Sequence, residues 1–389
     1  MLFVAVPFFV LLFFLYVWRL GTLVSGYSIS EITTIRSSSS LSTIKNNPIN
    51  APHKLLQFVF QHFGHHGAIW MRSVSVFFAF IFFVSLFLIL KKWFGNFIAF
   101  LGTTLLAATP WVVLIARSAT ADIMWLCPVL VIFGYAFLAK SQRWQSLAWL
   151  GLMFCLVVAI YTPGLVWFMI AAFALGWRQI LDLINRTNFT AAVTGLVMFM
   201  LLVTPLGYGF YLHPSLIKDW LLVPHSIPAL LILAKQAGWA LASLAYRAKQ
   251  HSNYMLGRMA TLSITQSILA LVGIYAMGKS AKRELFALLT LLAISLVAVS
   301  LNANPILMTL CLPALAIFDA AALRFLHLKW LRVFPLNPLP KTFAAVLISM
   351  LVFFQAGYAL RYSLAAWPHS IETRKAYVLK YTIGKGSEK

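Results

Sequence analysis

The feature that most constrains this chain is a series of long apolar runs along almost its whole length. The first extends from Leu2 to Trp18, and ten more follow at residues 70–90, 97–116, 123–139, 147–160, 164–177, 189–211, 259–277, 285–301, 306–325 and 343–362. A helix needs about 20 apolar residues to cross a hydrocarbon core of about 30 Å. The sequence therefore predicts an all-α polytopic membrane protein with about eleven transmembrane helices.

The composition excludes a soluble domain. Of the 389 residues, 62% are hydrophobic and only 10% are charged, and the mean hydropathy is +0.89. Soluble proteins carry about 25% charged residues. A bilayer suits such a chain, because lipid tails solvate its apolar faces while helices satisfy their own backbone hydrogen bonds.

Basic residues indicate how the spans are oriented. The chain has 30 Lys and Arg residues against 8 Asp and Glu, a formal net charge of +22. Many of them lie in alternate short loops, as Lys91, Lys92 and Lys279 do, and the positive-inside rule places these loops in the cytoplasm. We therefore interpret the charge as a topology signal and not as a nucleic-acid surface. We expect a multi-pass protein of the plasma (inner) membrane with two long outer loops, at residues 21–69 and 212–258.

Residues 1–362 form one predicted transmembrane domain, and residues 363–389 form a basic C-terminal tail. The segment from Ser226 to Tyr246 is nearly long enough to span the membrane. Its polar residues, among them Lys235, fall within one sector of about 120° on a helical wheel. This pattern favours an amphipathic helix that lies in the outer interface, and a spanning helix is the alternative.

Glu31 is the single acid of the first outer loop. It stands three residues after Ser28, and this spacing is typical of a capping box at the start of a short helix. The functional alternative is a carboxylate held at the outer membrane surface, where it would serve as a general base.

Asp122 opens the fourth predicted span and follows Arg117 by five residues. An acid at a helix N-terminus is favoured by the helix dipole, and it could also pair with Arg117. An ionisable group at the edge of a transmembrane bundle is nevertheless a candidate functional residue.

Lys54 lies near the start of an apolar helical pattern in the first outer loop. It could neutralise a lipid phosphate, or it could be a lysine that extends its ammonium group to the interface. His62, His65 and His66 stand close together, but no Cys or acid lies beside them. We therefore predict no metal site, and a need for a divalent metal stays undetermined.

Several short motifs occur in a familiar order, and they cover about residues 2–177. They are Glu31 in the first loop, Asn47-Pro-Ile-Asn-Ala-Pro-His-Lys-Leu-Leu56, Phe63-Gly64, Trp70-Met-Arg-Ser73, Ala108-Thr-Pro-Trp111, and Ala116-Arg117 with Asp122. This order resembles the multi-spanning glycosyltransferases of the C superfamily, which include protein O-mannosyltransferases and the aminoarabinose transferase of lipid A.

The resemblance implies a helical bundle with juxtamembrane helices on its outer face. It also implies an enzyme that moves a sugar from a polyprenyl-phosphate-linked donor to a hydroxyl of a glycan, lipid or protein acceptor outside the cytoplasm. Glu31 and Asp122 correspond to the functional carboxylates of the family. Ser30 departs from the family pattern, in which an Asp often precedes the Glu. We expect Glu31 or Asp122 to be the catalytic base and Lys54 and Arg117 to stabilise the donor phosphate.

Two other classes of function stay open. A lipid-sugar transporter or flippase would have helices broken by Gly or Pro and repeat symmetry. A catalytically inactive structural relative is the second alternative, and the low number of acids and the missing adjacent carboxylate favour it.

Overall fold

The computed structural model of this protein describes residues 2–138, 145–224, 226, 228–248, 253–254, 257–333 and 338–379. These residues form helices joined by short loops, together with one isolated bridge between Tyr27 and Leu379. The predicted all-α class is confirmed. The cytoplasmic loop predicted at Lys140 and Arg143, parts of the second outer loop and residues 380–389 lie outside the described residues.

The long helices follow the predicted apolar runs closely. They are α1 (Leu2–Val17), α5 (Ala68–Phe94), α6 (Asn96–Ala108), α7 (Pro110–Ala116), α8 (Pro128–Leu138), α9 (Gln145–Ile160), α10 (Leu165–Arg186), α11 (Phe189–Leu212), α14 (Ile264–Ser280), α15 (Lys282–Asn302), α16 (Leu312–Val333) and α17 (Pro338–Arg361). Within the described residues, five helices are long and apolar enough to cross a membrane, or up to seven if each of two bent pairs is one span. The chain is therefore a multi-pass membrane protein, and the number of eleven spans stays a prediction.

The third predicted span is broken. Helices α6 and α7 meet at an angle of 67°, because Pro110 lacks the N–H that would continue the helix. Gln266 of α14 donates from Nε2 to Thr109 Oγ1 at 2.7 Å and to Leu105 O at 3.3 Å. A neighbouring helix thus satisfies polar groups at the break, as the interior of a membrane protein requires.

Both predicted outer loops contain short helices. The first holds α2 (Ile29–Ser37), α3 (Leu41–Asn46) and α4 (Ala51–His62), and the second holds α12 (Leu216–Leu221) and α13 (Leu230–Ala245). The capping box predicted for Ser28 and Glu31 is present at the start of α2. Helix α13 has 16 residues and an exposed apolar side that includes Leu230. Its place in the outer interface stays a prediction.

Helices α14 and α16 cross closely in the core. A Cβ atom on Gly273 would clash with the carbonyl oxygen of Phe318. Only glycine permits this approach, which places the buried face of α16 against the centre of the bundle.

The C-terminal segment returns to the start of the chain. After a π-helical turn at Tyr362–Ala366 come α18 (Trp367–His369) and α19 (Ile371–Ala376). Leu379 then pairs with Tyr27, and their main chains exchange hydrogen bonds of 2.9 and 3.3 Å. Over its described part the predicted tail is therefore packed against the first outer loop.

Candidate functional site

Residues 117–122, which we call the 117–122 segment, follow α7 directly and include the first two residues of a 3₁₀ helix at Ala121–Leu126. It contains two of the predicted site residues, Arg117 and Asp122. Side chains from α2, α4 and α5, together with Tyr254, bind it. Because many distant parts of the chain converge there, we treat it as the centre of the candidate site.

A buried ion pair between Glu31 and Arg72 contacts the 117–122 segment. Arg72, in the second turn of α5, donates to both carboxylate oxygens of Glu31, from Nε to Oε1 at 2.9 Å and from Nη2 to Oε2 at 3.1 Å. It is the one ion pair found within the described part of the chain. The guanidinium also lies over the rings of Tyr27 and Tyr377, at 5.4 and 5.8 Å from their centroids.

The carboxylate of Glu31 has no free oxygen. Its Oε1 accepts a further bond from the backbone N–H of Ala119 at 2.9 Å, and its Oε2 accepts one from Ser28 N–H at 3.0 Å. The residue is fully buried. Glu31 therefore holds the 117–122 segment through Ala119, and removing its charge would leave Arg72 buried and unpaired.

Arg117 points toward the end of α1. Its Nη1 donates to the carbonyl oxygens of Leu15 and Tyr16, each at 2.9 Å, and its Nη2 donates to Trp18 O at 2.7 Å. A cation that binds the last carbonyls of a helix complements its dipole. Arg117 therefore connects the end of α1 to the 117–122 segment. Its guanidinium donates to these carbonyl oxygens and does not form the ion pair with Asp122 that the sequence suggested.

Helix α4 binds the main chain of the same segment. Gln57 Nε2 donates to Ala119 O at 2.8 Å. Ser75 Oγ donates to Thr120 O at 3.0 Å and lies 2.9 Å from His53 Nε2. Burial, and then the charge of Lys54, lower the pKa of the His53 imidazole to about 3, so this ring is neutral at physiological pH.

Lys54 is a buried cation without a carboxylate partner in the described structure. Its side chain is 6% exposed, and its Nζ donates to Asn47 O at 2.8 Å. Burial lowers the pKa of its ammonium to about 8. An ammonium group has three donors, so a group of this kind is suited to meet an anionic ligand.

Asp122 differs from Glu31 in that part of its carboxylate is free. Its Oδ2 accepts hydrogen bonds of 2.7 Å from both Thr120 Oγ1 and the Tyr254 hydroxyl. Its Oδ1 has no hydrogen-bond partner among the described residues, and the side chain is half-buried. The carboxylate is thus fixed in orientation while one oxygen stays available to accept a proton or a hydrogen bond.

The C-terminal segment takes part in this arrangement. Tyr377 donates its hydroxyl to Asn253 O at 3.0 Å, and Asn253 Nδ2 donates to Ser30 Oγ at 3.1 Å. Asn253 immediately precedes Tyr254, which binds Asp122. The end of the chain therefore connects the second outer loop to the first.

A second basic feature lies at the end of α13. A cavity of about 660 Å³ is lined by the cations Lys235, Arg247 and Arg258, and no carboxylate belongs to its described lining. Gln236 Oε1 is buried beside it without a hydrogen-bond partner in the described residues. The local charge suits an anionic group.

Glu31 contacts the 117–122 segment, which contains Arg117 and Asp122. The three side chains nevertheless bind different partners. Sequence reasoning did not assign a role to Arg72 or to Tyr254. A lone Arg at the start of an apolar span was the available signal for Arg72. No local pattern marks Tyr254, because its contact with Asp122 joins residues 132 positions apart.

The histidines of the first loop make aromatic contacts. His65 stacks on Trp70 with ring centroids 4.4 Å apart, and His62 stacks on Phe58 at 5.7 Å. Within the described residues, no group of three or more His, Cys, Asp and Glu side chains has an arrangement that could hold a metal ion.

Comparison with solved structures identifies the fold. The chain is similar to ArnT from Cupriavidus metallidurans bound to undecaprenyl phosphate, with a TM-score of 0.59, 13% identity, and coverage of 95% of this chain and 76% of ArnT. The apo state of ArnT gives a TM-score of 0.56 at 14% identity, covering 96% and 76%. The oligosaccharyltransferase AglB from Archaeoglobus fulgidus, in complex with an inhibitory peptide and a dolichol-phosphate, gives 0.43 at 12% identity, covering 93% and 55%.

The expected helical fold is thus confirmed, and the chain shares it with ArnT. No family model matches the chain, and no curated protein matches it by sequence.

Proposed function

We propose that this protein is a membrane glycosyltransferase that moves a sugar from a polyprenyl-phosphate-linked donor to an acceptor hydroxyl on the extracytoplasmic side. The fold shared with ArnT, whose structure contains undecaprenyl phosphate, supports the class of reaction. The proposed mechanism rests on the carboxylate of Asp122. Tyr254 and Thr120 donate hydrogen bonds to its Oδ2, and its Oδ1 is free to accept a proton.

Asp122 is the proposed general base. The acceptor oxygen attacks the anomeric carbon as Oδ1 takes the acceptor proton, and the bond between that carbon and the phosphate oxygen breaks. The polyprenyl phosphate leaves with the bonding electrons, and a single displacement inverts the anomeric carbon. Glu31 makes four hydrogen bonds in a buried pair, so we assign it to hold the site and not to take the proton.

Lys54 is the proposed partner of the leaving phosphate. A cation near a developing negative charge stabilises the transition state, and burial strengthens this interaction. The sequence also suggested Arg117 for this role. Since Arg117 donates to the carbonyl oxygens of Leu15, Tyr16 and Trp18 at the end of α1, we assign it to position the segment. The cavity with Lys235, Arg247 and Arg258 offers a second place for an anionic part of a substrate.

One observation favours a second candidate, a non-catalytic relative that binds lipid-linked phosphate. Ser30 stands beside Glu31 where the resembling family often has an Asp, and its hydroxyl accepts a hydrogen bond from Asn253. Such a protein would keep the Glu31–Arg72 pair and Lys54 but would not need Asp122.

Two measurements separate these candidates. Binding of undecaprenyl phosphate to the purified protein should weaken in Lys54→Ala under either one. Mass spectrometry of cell-surface glycans should show a glycan change when the protein is removed, and Asp122→Asn should reproduce that change only if the protein is the transferase. Normal glycans in the deleted strain would reject the enzyme. Normal binding in Lys54→Ala would reject the assigned phosphate site.

A further inference from the structure

A groove of about 850 Å³ opens on the side of the bundle between α1, α5, α6 and α17. Its lining is almost wholly apolar, with Phe9, Phe13, Phe80, Phe87, Phe100 and Phe353 among its members. Phe13 and Phe353 are 50% and 55% exposed. The groove therefore faces the lipid phase and is not an enclosed cavity.

The groove has a length suited to one leaflet. Along α5 its lining extends from Phe80 to Lys91, which is about 16 Å at 1.5 Å per residue. Half of a hydrocarbon core of about 30 Å is about 15 Å. The groove thus matches an acyl chain that lies parallel to the helices within one leaflet.

One end of the groove is cationic. Lys91, in the last turn of α5, belongs to the lining, and no acid is among the described residues of that lining. Its ammonium has no hydrogen-bond or ion-pair partner in the described part of the chain, and the residue is exposed. The neighbouring Lys92 differs, because its Nζ donates to Ala136 O. Lys91 is therefore free to meet a headgroup.

This groove is separate from the candidate site. His53 of α4 contacts Ser75 on α5, and Ser75 precedes Lys91 by 16 residues, about 24 Å along the helix. A phosphate at Lys91 therefore lies in the opposite leaflet from one at Lys54. The lipid in this groove is not the proposed donor.

We propose that the groove is a binding site for one anionic phospholipid of the leaflet opposite the candidate site. An acyl chain lies among the phenylalanine rings, and Lys91 binds the headgroup phosphate. The apolar lining, the length of one leaflet and the unpaired cation at headgroup depth together select this occupant. A bound lipid would fill the space between α1 and α17.

The test uses the full-length protein and two lipids with identical chains, phosphatidylglycerol and phosphatidylcholine. Native mass spectrometry compares how much of each stays bound after detergent washing. The wild type should prefer the anionic lipid. Lys91→Ala should reduce this preference by about fivefold, because that is the affinity ratio expected from the attraction of one cation to an anionic headgroup. The exposed Lys282→Ala is the matched control and should keep the preference.

Val84→Trp adds a large side chain in the groove wall and should reduce retention of both lipids. An equal preference in wild type and Lys91→Ala would overturn the proposal, and so would unchanged retention in Val84→Trp. Undecaprenyl phosphate binding should be unchanged in Lys91→Ala. Its loss would mean that the groove holds the donor instead.

Discussion

The carboxylate of Glu31 and the guanidinium of Arg72 form two hydrogen bonds, of 2.9 and 3.1 Å, although 41 residues separate them in the chain. Both side chains are buried. Through Ala119 this pair also fixes the segment that presents Asp122. The first-loop carboxylate thus acts as part of the scaffold of the site, while the second carboxylate faces the substrate in our proposal.

Glu31→Gln should destabilise the protein. The substitution leaves the buried guanidinium of Arg72 without its counter-ion, a loss of about 3–5 kcal/mol. Thermal unfolding in detergent measures it, and the exposed Glu284→Gln is the control. Arg72→Gln should cost a similar amount, and the double variant should lose less than the sum. A stable Glu31→Gln protein without transfer activity would instead make Glu31 the base.

Asp122→Asn should keep the fold and lose activity. The amide oxygen of Asn can still accept from Thr120 and Tyr254, so stability should change little. Loss of a general base reduces the rate by about 10²–10⁴-fold. Transfer from a native lipid-linked donor measures the effect. Asp219→Asn, an exposed acid of the second outer loop, is the matched control. Near wild-type transfer in Asp122→Asn would remove the proposed mechanism.

Binding of the lipid phosphate should depend on pH through Lys54. Its pKa is lowered to about 8 by burial, so the ammonium is charged below this pH and neutral above it. Affinity for undecaprenyl phosphate should therefore be constant from pH 7 to about 8 and then fall by roughly tenfold per pH unit. His53 does not contribute, because its pKa is about 3.

Two variants complete this measurement. Lys54→Arg should keep affinity at high pH, because a guanidinium stays charged there. Lys45→Ala, which removes an exposed lysine of the same outer loop, should leave the pH profile unchanged. A flat profile in the wild type would show that Lys54 does not bind the phosphate.

The proposed orientation can be tested by cysteine labelling in intact cells. Ser39→Cys and Ser215→Cys should react with a membrane-impermeant maleimide, and Ser280→Cys should not. All three positions are exposed, and the native cysteines Cys127, Cys155 and Cys311 are buried, so the background is low. Labelling of Ser280→Cys alone would invert the topology.

The sequence predicted the helical bundle well, because hydropathy over about 20 residues decides which segments enter a bilayer. The capping box of Ser28 and Glu31 was also predictable, because it depends on two residues only three positions apart. The 67° break at Pro110 was not predicted, although the proline is visible. Whether a proline bends or ends a helix depends on what its neighbours offer, and Gln266 is 156 positions away.

The sequence by itself determined which segments are helices, that they belong in a membrane, and that Glu31, Lys54, Arg117 and Asp122 were the residues to consider. Only the tertiary structure decided what each of them contacts. Glu31 binds the distant Arg72, and Arg117 binds the end of α1. Lys54 and Asp122 can each form further hydrogen bonds with a ligand. Hydropathy and capping are properties of neighbours in sequence, whereas the partner of a buried charge is set by how distant helices pack.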